Sequence, residues 1–166
     1  MTSRPAWRPR HDGEDPDHED LCPPCRPRAH PRARRCGCAD DIRAAQAWSP
    51  HTYWATCPNA NLYIENRLPN YRHFLDTGAR VTIGTDSLTS NWQLSILEEM
   101  KTIARYQRYV PFDTLLRWAT LNGAQALGFD DTLGSLEAGK TPGVLLLEGL
   151  GTDGRPGAEA TVRRVG

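Results

Sequence analysis

The segment Arg80-Val81-Thr82-Ile83-Gly84-Thr85-Asp86 confines this chain to a narrow set of folds. Residues 80–83 form a short β-branched run closed by glycine, the pattern of a buried strand. Gly84 permits a turn, a carboxylate follows at once, and the polar residues 87–91 lead into a strongly helical segment. A strand, a carboxylate at its carboxyl end and then a helix is the βα unit of a parallel α/β protein. That end of the strands is where such folds place their chemistry. Taken alone, an aspartate here is more often a turn former or a helix cap than a catalytic group.

The flanking sequence fits the same alternation. Residues 40–47, acidic at the start and rich in alanine, predict a helix that Ser49-Pro50 ends. Residues 52–56 predict a strand that runs into the turn Cys57-Pro58-Asn59-Ala60-Asn61. Residues 68–76 predict a helix stopped by Gly78, with Tyr71, Phe74 and Leu75 on its apolar stripe. The clearest helix spans residues 94–107: Leu94, Leu97, Met100 and Ile103 or Ala104 recur at helical spacing, and Glu98, Glu99, Lys101 and Arg105 read as its solvated face. Pro111 opens a helix with Leu115, Leu116 and Trp118 buried, and residues 120–128 read as a cap, a short helix and a glycine stop. Residues 144–147 and 160–165 predict two short strands around a glycine-rich loop at 149–157. His51 and His73 read as surface or partly packed residues, and Cys57 as a small buried hydrophobe.

Residues 1–39 have another character. They contain one leucine, Leu21, and no Ile, Val, Phe or Tyr, amid dense Arg, Pro, His and Asp. Such a segment buries too little apolar surface to offset its ordering entropy, and disorder is expected. Cys22-Pro23-Pro24-Cys25 and Cys36-Gly37-Cys38, with His18 and His30 nearby, offer a four-thiolate zinc cluster as an alternative functional element. Against it, no hairpin or helix pattern surrounds the thiols. The Arg-Pro-Ala-Cys-Gly composition, with Lys101 and Lys140 as the only lysines of the chain, matches GC-rich DNA read out of frame. A frame error or truncated gene upstream of about residue 40 would account for the abrupt change in character; retranslation of the upstream DNA tests it.

Several separated motifs together resemble the amidohydrolase superfamily, in its chlorohydrolase and cytosine-deaminase-like branch. Gly84-Thr85-Asp86-Ser87-Leu88-Thr89-Ser90-Asn91 resembles the family's Gly-Thr-Asp-Ser-x-x-Ser-Asn pattern at the last barrel strand. Cys57-Pro58-Asn59-Ala60-Asn61 resembles the Cys-Pro-x-Ser-Asn that closes the seventh, with Ala60 where serine is usual. Thr120 to Gly128 resembles Thr-x-Asn-Gly-Ala-x-x-Leu-Gly, a packing motif, and Gly134 to Lys140 continues the likeness. Pro142-Gly143-Val144 departs from the family's Ala-Asp-Leu, which leaves the start of the following strand open.

The resemblance covers residues 40–150. It implies an α/β fold: the C-terminal part of a (β/α)8 TIM-like barrel, incomplete because 166 residues fall short of a closed one, with a short return to a β-sandwich. The resemblance implies a partial barrel at 40–150; composition adds a disordered segment at 1–39, for which an out-of-frame origin is one reading, and a tail at 151–166 that has room for a β-strand. The implied activity is metal-dependent hydrolysis that removes ammonia or another leaving group from a small heterocyclic amine. In the family a zinc or iron ion lowers the pKa of a bound water. The aspartate at the position of Asp86 lies on that metal and passes the water's proton to the leaving group. Asn61, Ser87 and Asn91 are the implied substrate-facing residues. The chain contains no His-x-His sequence, and the remaining family histidines and glutamate find no match. The reading is therefore a truncated amidohydrolase that does not hold its metal stably and is inactive alone; the alternative is a small zinc-binding or interaction module on Cys22, Cys25, Cys36 and Cys38.

Formal net charge zero gives no argument for nucleic-acid binding, and no apolar run approaches a membrane span of about 20 residues. The Arg- and Pro-rich start is not a secretory signal, so the five cysteines are expected to be reduced and the protein cytoplasmic. Open sheet edges are expected to promote self-association.

Overall fold

The computed structural model describes residues 38–165. The expected disorder of residues 1–39 and the thiol cluster thus fall outside the described residues, save Cys38 and Ala39. Helix α1, Ala39–Trp48, starts at Cys38, whose backbone N–H donates to the Asp41 carboxylate, and it buries Ile42. Strand β1, Trp54–Thr56, leads through Cys57 into helix α2, Pro58–Glu65. Helix α3, Tyr71–Asp76, precedes strand β2, Val81–Ile83. Helices α4 (Ile96–Tyr106), α5 (Phe112–Ala119) and α6 (Leu121–Leu127) follow, then strands β3 (Leu145–Leu150) and β4 (Pro156–Arg164).

Strands β1 and β2 are parallel neighbours, in the register Trp54↔Val81, Ala55↔Thr82 and Thr56↔Ile83. The Trp54 N–H donates to Arg80 O at 2.8 Å and the Gly84 N–H to Thr56 O at 2.9 Å. Alternation sends Val81 and Ile83 to one face, where they meet Tyr71, Phe74, Met100, Ile103, Leu115 and Trp118 from α3, α4 and α5. The other face presents Ala55, exposed, and Thr82, half-buried. That face carries small and polar side chains. The fold is mixed α/β, and no closed barrel exists among the described residues.

Four local expectations need correction. The turn read at 57–61 is the start of α2, with Pro58 in its first turn, where proline's missing N–H costs nothing. The helix expected from residue 68 begins at Tyr71: Pro69 disfavours helical geometry at Leu68, and the Asn70 side chain caps by accepting from the Arg72 N–H at 3.1 Å. The helix expected from Leu94 begins at Ile96, capped by Ser95 Oγ, which accepts from the Glu98 N–H; Leu94 is 55% exposed and off the stripe. Leu116 is 39% exposed rather than buried.

The last two strands are longer than expected. Strands β3 and β4 form an antiparallel hairpin from Leu145↔Arg164 to Leu150↔Pro156, so the glycine-rich loop shrinks to residues 151–155. Gly149 sits at a register shift with φ +73°; a Cβ there would lie 2.9 Å from Glu159 O, so the bulge requires glycine. Lys101 Nζ ties α4 to β4 by donating to Ala158 O at 2.9 Å, and it pairs with Glu98 at 2.7 Å. No helix among the described residues is long and apolar enough to cross a membrane.

Candidate functional site

The carboxyl ends of β1 and β2 lie side by side, and each feeds a turn into a helix. From β1 the chain passes through Cys57 to α2; from β2 it passes through Gly84, Thr85 and Asp86 to α4. The two turns touch. A Cβ on Gly84 would lie 3.3 Å from Cys57 Sγ. Burial pushes the thiol's pKa up, against the opposing effect of the Asp86 backbone N–H.

Asp86 follows the tip of β2, exposed, with φ +56° in the left-handed region that aspartate tolerates better than most residues. Its Oδ2 accepts from Ser90 Oγ at 2.8 Å. Ser87 Oγ lies 2.6 Å from Thr89 Oγ1 and 3.3 Å from Ser90 Oγ, so hydroxyls line the turn beside the carboxylate. Asp86 is therefore neither on a helix nor a cap of α4, whose cap is Ser95. Asn61 lies on α2, half-buried, its backbone N–H bonded to Cys57 O.

Asn91 is buried, and both hydrogens of its amide are taken: Nδ2 donates to Thr85 O and to Glu99 Oε1, each at 2.7 Å. Its Oδ1 accepts from the Gln93 N–H at 3.3 Å. Glu99, expected on the solvated face of its helix, is 0% exposed. Its second oxygen accepts from the Asn59 N–H at 2.7 Å, within the first turn of α2. Thr102 Oγ1, one helical turn on, donates to Asn59 Oδ1 at 2.6 Å. Burial raises the Glu99 pKa, and the Asn59 and Asn91 hydrogen bonds oppose that rise. The signal for Glu99 was present: at helical spacing residue 99 shares one face with Ile96, Met100 and Ile103.

The donor set is poor for a metal. Among the described residues no three His, Cys, Asp or Glu side chains converge. His51 is exposed in the turn before β1, and His73 on α3 accepts from Asn70 Nδ2 at 3.3 Å. A catalytic zinc takes three protein ligands and a water. The exposed Asp86 carboxylate and the Cys57 thiol are at most two donors and do not meet that need.

The sequence model of the Amidohydrolase family matches residues 32–160. A 5-methylthioadenosine/S-adenosylhomocysteine deaminase of Moorella thermoacetica is 37% identical over 101 residues, 57% of this chain and 24% of the relative. The chain thus spans about a quarter of the length of the curated relatives it matches. Among solved structures, a zinc-bound adenosine deaminase of Xanthomonas campestris shares 32% identity with a TM-score of 0.50, covering 56% of this chain and 23% of that one. An aminofutalosine deaminase of Helicobacter pylori, at 23% identity and a TM-score of 0.56, covers 62% of this chain and 26% of its own and shows likeness of fold alone.

Proposed function

This chain belongs to the amidohydrolase family, and from that premise we propose that it supplies the C-terminal part of a metal-dependent deaminase barrel acting on a small heterocyclic amine. The observation that carries the reading is the position of Asp86: an exposed carboxylate just beyond the carboxyl end of a parallel strand, oriented by Ser90. A carboxylate held in this way can accept a proton from an attacking water and deliver it to a leaving amine. Ser87 and Asn61, at the same end of the two strands, are the proposed substrate contacts. Asn91 serves the site from beneath, since its hydrogen bonds are made within the protein. The names of the relatives point to 6-aminopurine nucleosides as the substrate class.

In this proposal the metal ligands other than Asp86, zinc or iron being the family's metals, come from barrel segments that this chain does not contain. The isolated chain is then inactive and holds no metal stably. We extend the proposal to a domain boundary near residue 40 and to a cytoplasmic location. The alternative, a zinc-binding or interaction module, rests on thiols of which only Cys38 is described, and no observation favours it.

The test is an ammonia-release assay on 5-methylthioadenosine with added zinc. The chain alone is expected to give none. Mixed or co-expressed with the preceding three-quarters of the Moorella thermoacetica relative, it is expected to give metal-dependent turnover. Turnover by the chain alone would overturn the fragment reading; no turnover from a soluble, associated pair would overturn the assignment to a working barrel.

Self-association is a further part of the proposal. Each sheet among the described residues has two strands, hence free edges, and the hairpin exposes Leu145, Leu150 and Val162. Size-exclusion chromatography is expected to show an apparent mass that rises with loading above the 18.5 kDa of the monomer. A monomer at all loadings would remove this part.

A further inference from the structure

Glu99 is the only fully buried carboxylate among the described residues, and the chemistry proposed for Asp86 makes no use of it. Its two oxygens reach two different turns. Oε2 accepts from the Asn59 N–H, just past the end of β1, and Oε1 accepts from Asn91 Nδ2, in the segment after β2. Asn91 carries the link onward, because its second amide hydrogen goes to Thr85 O, the carbonyl directly before Asp86. Asp86 sits at φ +56°, a left-handed conformation that aspartate tolerates and that the surrounding hydrogen bonds help to hold. Thr102 grips the Asn59 side chain from the next turn of α4, so the helix holds both strand ends through one buried polar network.

We propose that Glu99 is a positioning residue: through Asn91 it clamps the Thr85–Asp86 turn to the end of β1 and so sets where the Asp86 carboxylate stands. The functional part of this inference rests on the reading of Asp86 as the working carboxylate. A bland core role predicts something different. A carboxylate that merely fills space would, when changed, loosen the whole core equally; a clamp loosens the two turns first.

The test is hydrogen–deuterium exchange on the full chain, with Glu99→Gln. Glutamine keeps the shape but offers one acceptor oxygen and an NH2, so it cannot satisfy both the Asn59 and the Asn91 donors. The amides of residues 85–91 are expected to exchange roughly tenfold faster or more, the equivalent of one buried hydrogen bond lost, while those of Val81 and Ile103 stay unchanged. Uniform acceleration across core and turn, or no acceleration in the turn, overturns the clamp. Should Glu99→Gln fail to fold, Asn91→Ala gives the same readout, since it removes the arm and leaves Glu99 on Asn59. In the complemented deaminase, Glu99→Gln is expected to lower kcat by about tenfold or more with KM little changed, as misplacement of a reacting group does. Exchange needs no turnover, so its failure overturns the clamp alone. Full turnover in Asp86→Asn would instead overturn the reading of Asp86 and leave the exchange result standing.

Discussion

Asp86→Asn, in the chain complemented by the preceding three-quarters of the Moorella thermoacetica relative, is expected to lower turnover by about 10²–10⁴-fold, the usual range for loss of a positioned proton carrier. Asparagine is close in size and still accepts the Ser90 Oγ hydrogen bond, which lies at 2.8 Å in the parent. It also tolerates the left-handed backbone at φ +56°. The turn and its packing therefore survive, and the difference is chemical: an amide takes no proton near neutral pH and is a weaker ligand for a cation. The measurement is ammonia release from 5-methylthioadenosine, with circular dichroism to confirm an unchanged fold. Turnover within a few-fold of the parent would mean that Asp86 is only the turn former its exposed, Ser90-bonded position also allows. Ser90→Ala is the graded companion, since it frees the carboxylate to rotate without removing it.

The sequence made one half of this site legible and hid the other. Glycine after a β-branched run, then an aspartate, located the tip of β2, because strand, turn and carboxylate are all local signals. The helical stripe of α4 was equally local, yet Glu99 was assigned to the solvated face. Charge type suggested solvent, whereas helical phase puts residue 99 beside Met100 and Ile103; tertiary partners, the Asn59 N–H and the Asn91 amide, decided for burial. Asn59 lies 40 residues away, beyond any window of periodicity, and Asn91, 8 residues before Glu99, lies outside the helix whose period was read. Helix α2 was missed for another reason. Its eight residues, PNANLYIE, hold no amphipathic stripe, and Asn59 and Asn61 resemble turn formers. The hairpin's extent was hidden by Gly149 and Gly157: glycine reads as a loop, and only the pairing reveals a bulge and a strand.

Tyr71→Ala is expected to cost about 3–5 kcal/mol, the range for removing a large aromatic from a core, enough to unfold a marginal domain. Tyr71 is fully buried at the start of α3 and joins the sheet to α5. Its ring lies 6.2 Å from that of Phe74 and 5.8 Å from that of Trp118, both tilted, and Phe74 meets Trp54 of β1 edge-on at 5.7 Å. The hydroxyl lies 2.8 Å from Thr56 Oγ1, at the last residue of β1 before the Cys57 turn. Tyr71→Phe separates the two contributions. It keeps the ring and removes one buried hydrogen bond, and is expected to cost about 1–2 kcal/mol because Thr56 is left without its partner. The double variant with Thr56→Val should recover part of that loss, since both polar groups then leave together. Burial raises the Tyr71 phenol's pKa above its ordinary 10.0, against the opposing effect of the Thr56 hydrogen bond. The unfolded chain thus releases this proton at a lower pH than the folded one. In that window the folded state binds more protons, so stability falls as pH rises from about 10 upward. Tyr109, whose phenol burial also raises, adds to the same trend. Urea titrations at pH 8 and pH 11 are expected to show a smaller alkaline loss for Tyr71→Phe than for the parent. An equal loss in both would mean that Tyr71 does not govern the alkaline transition.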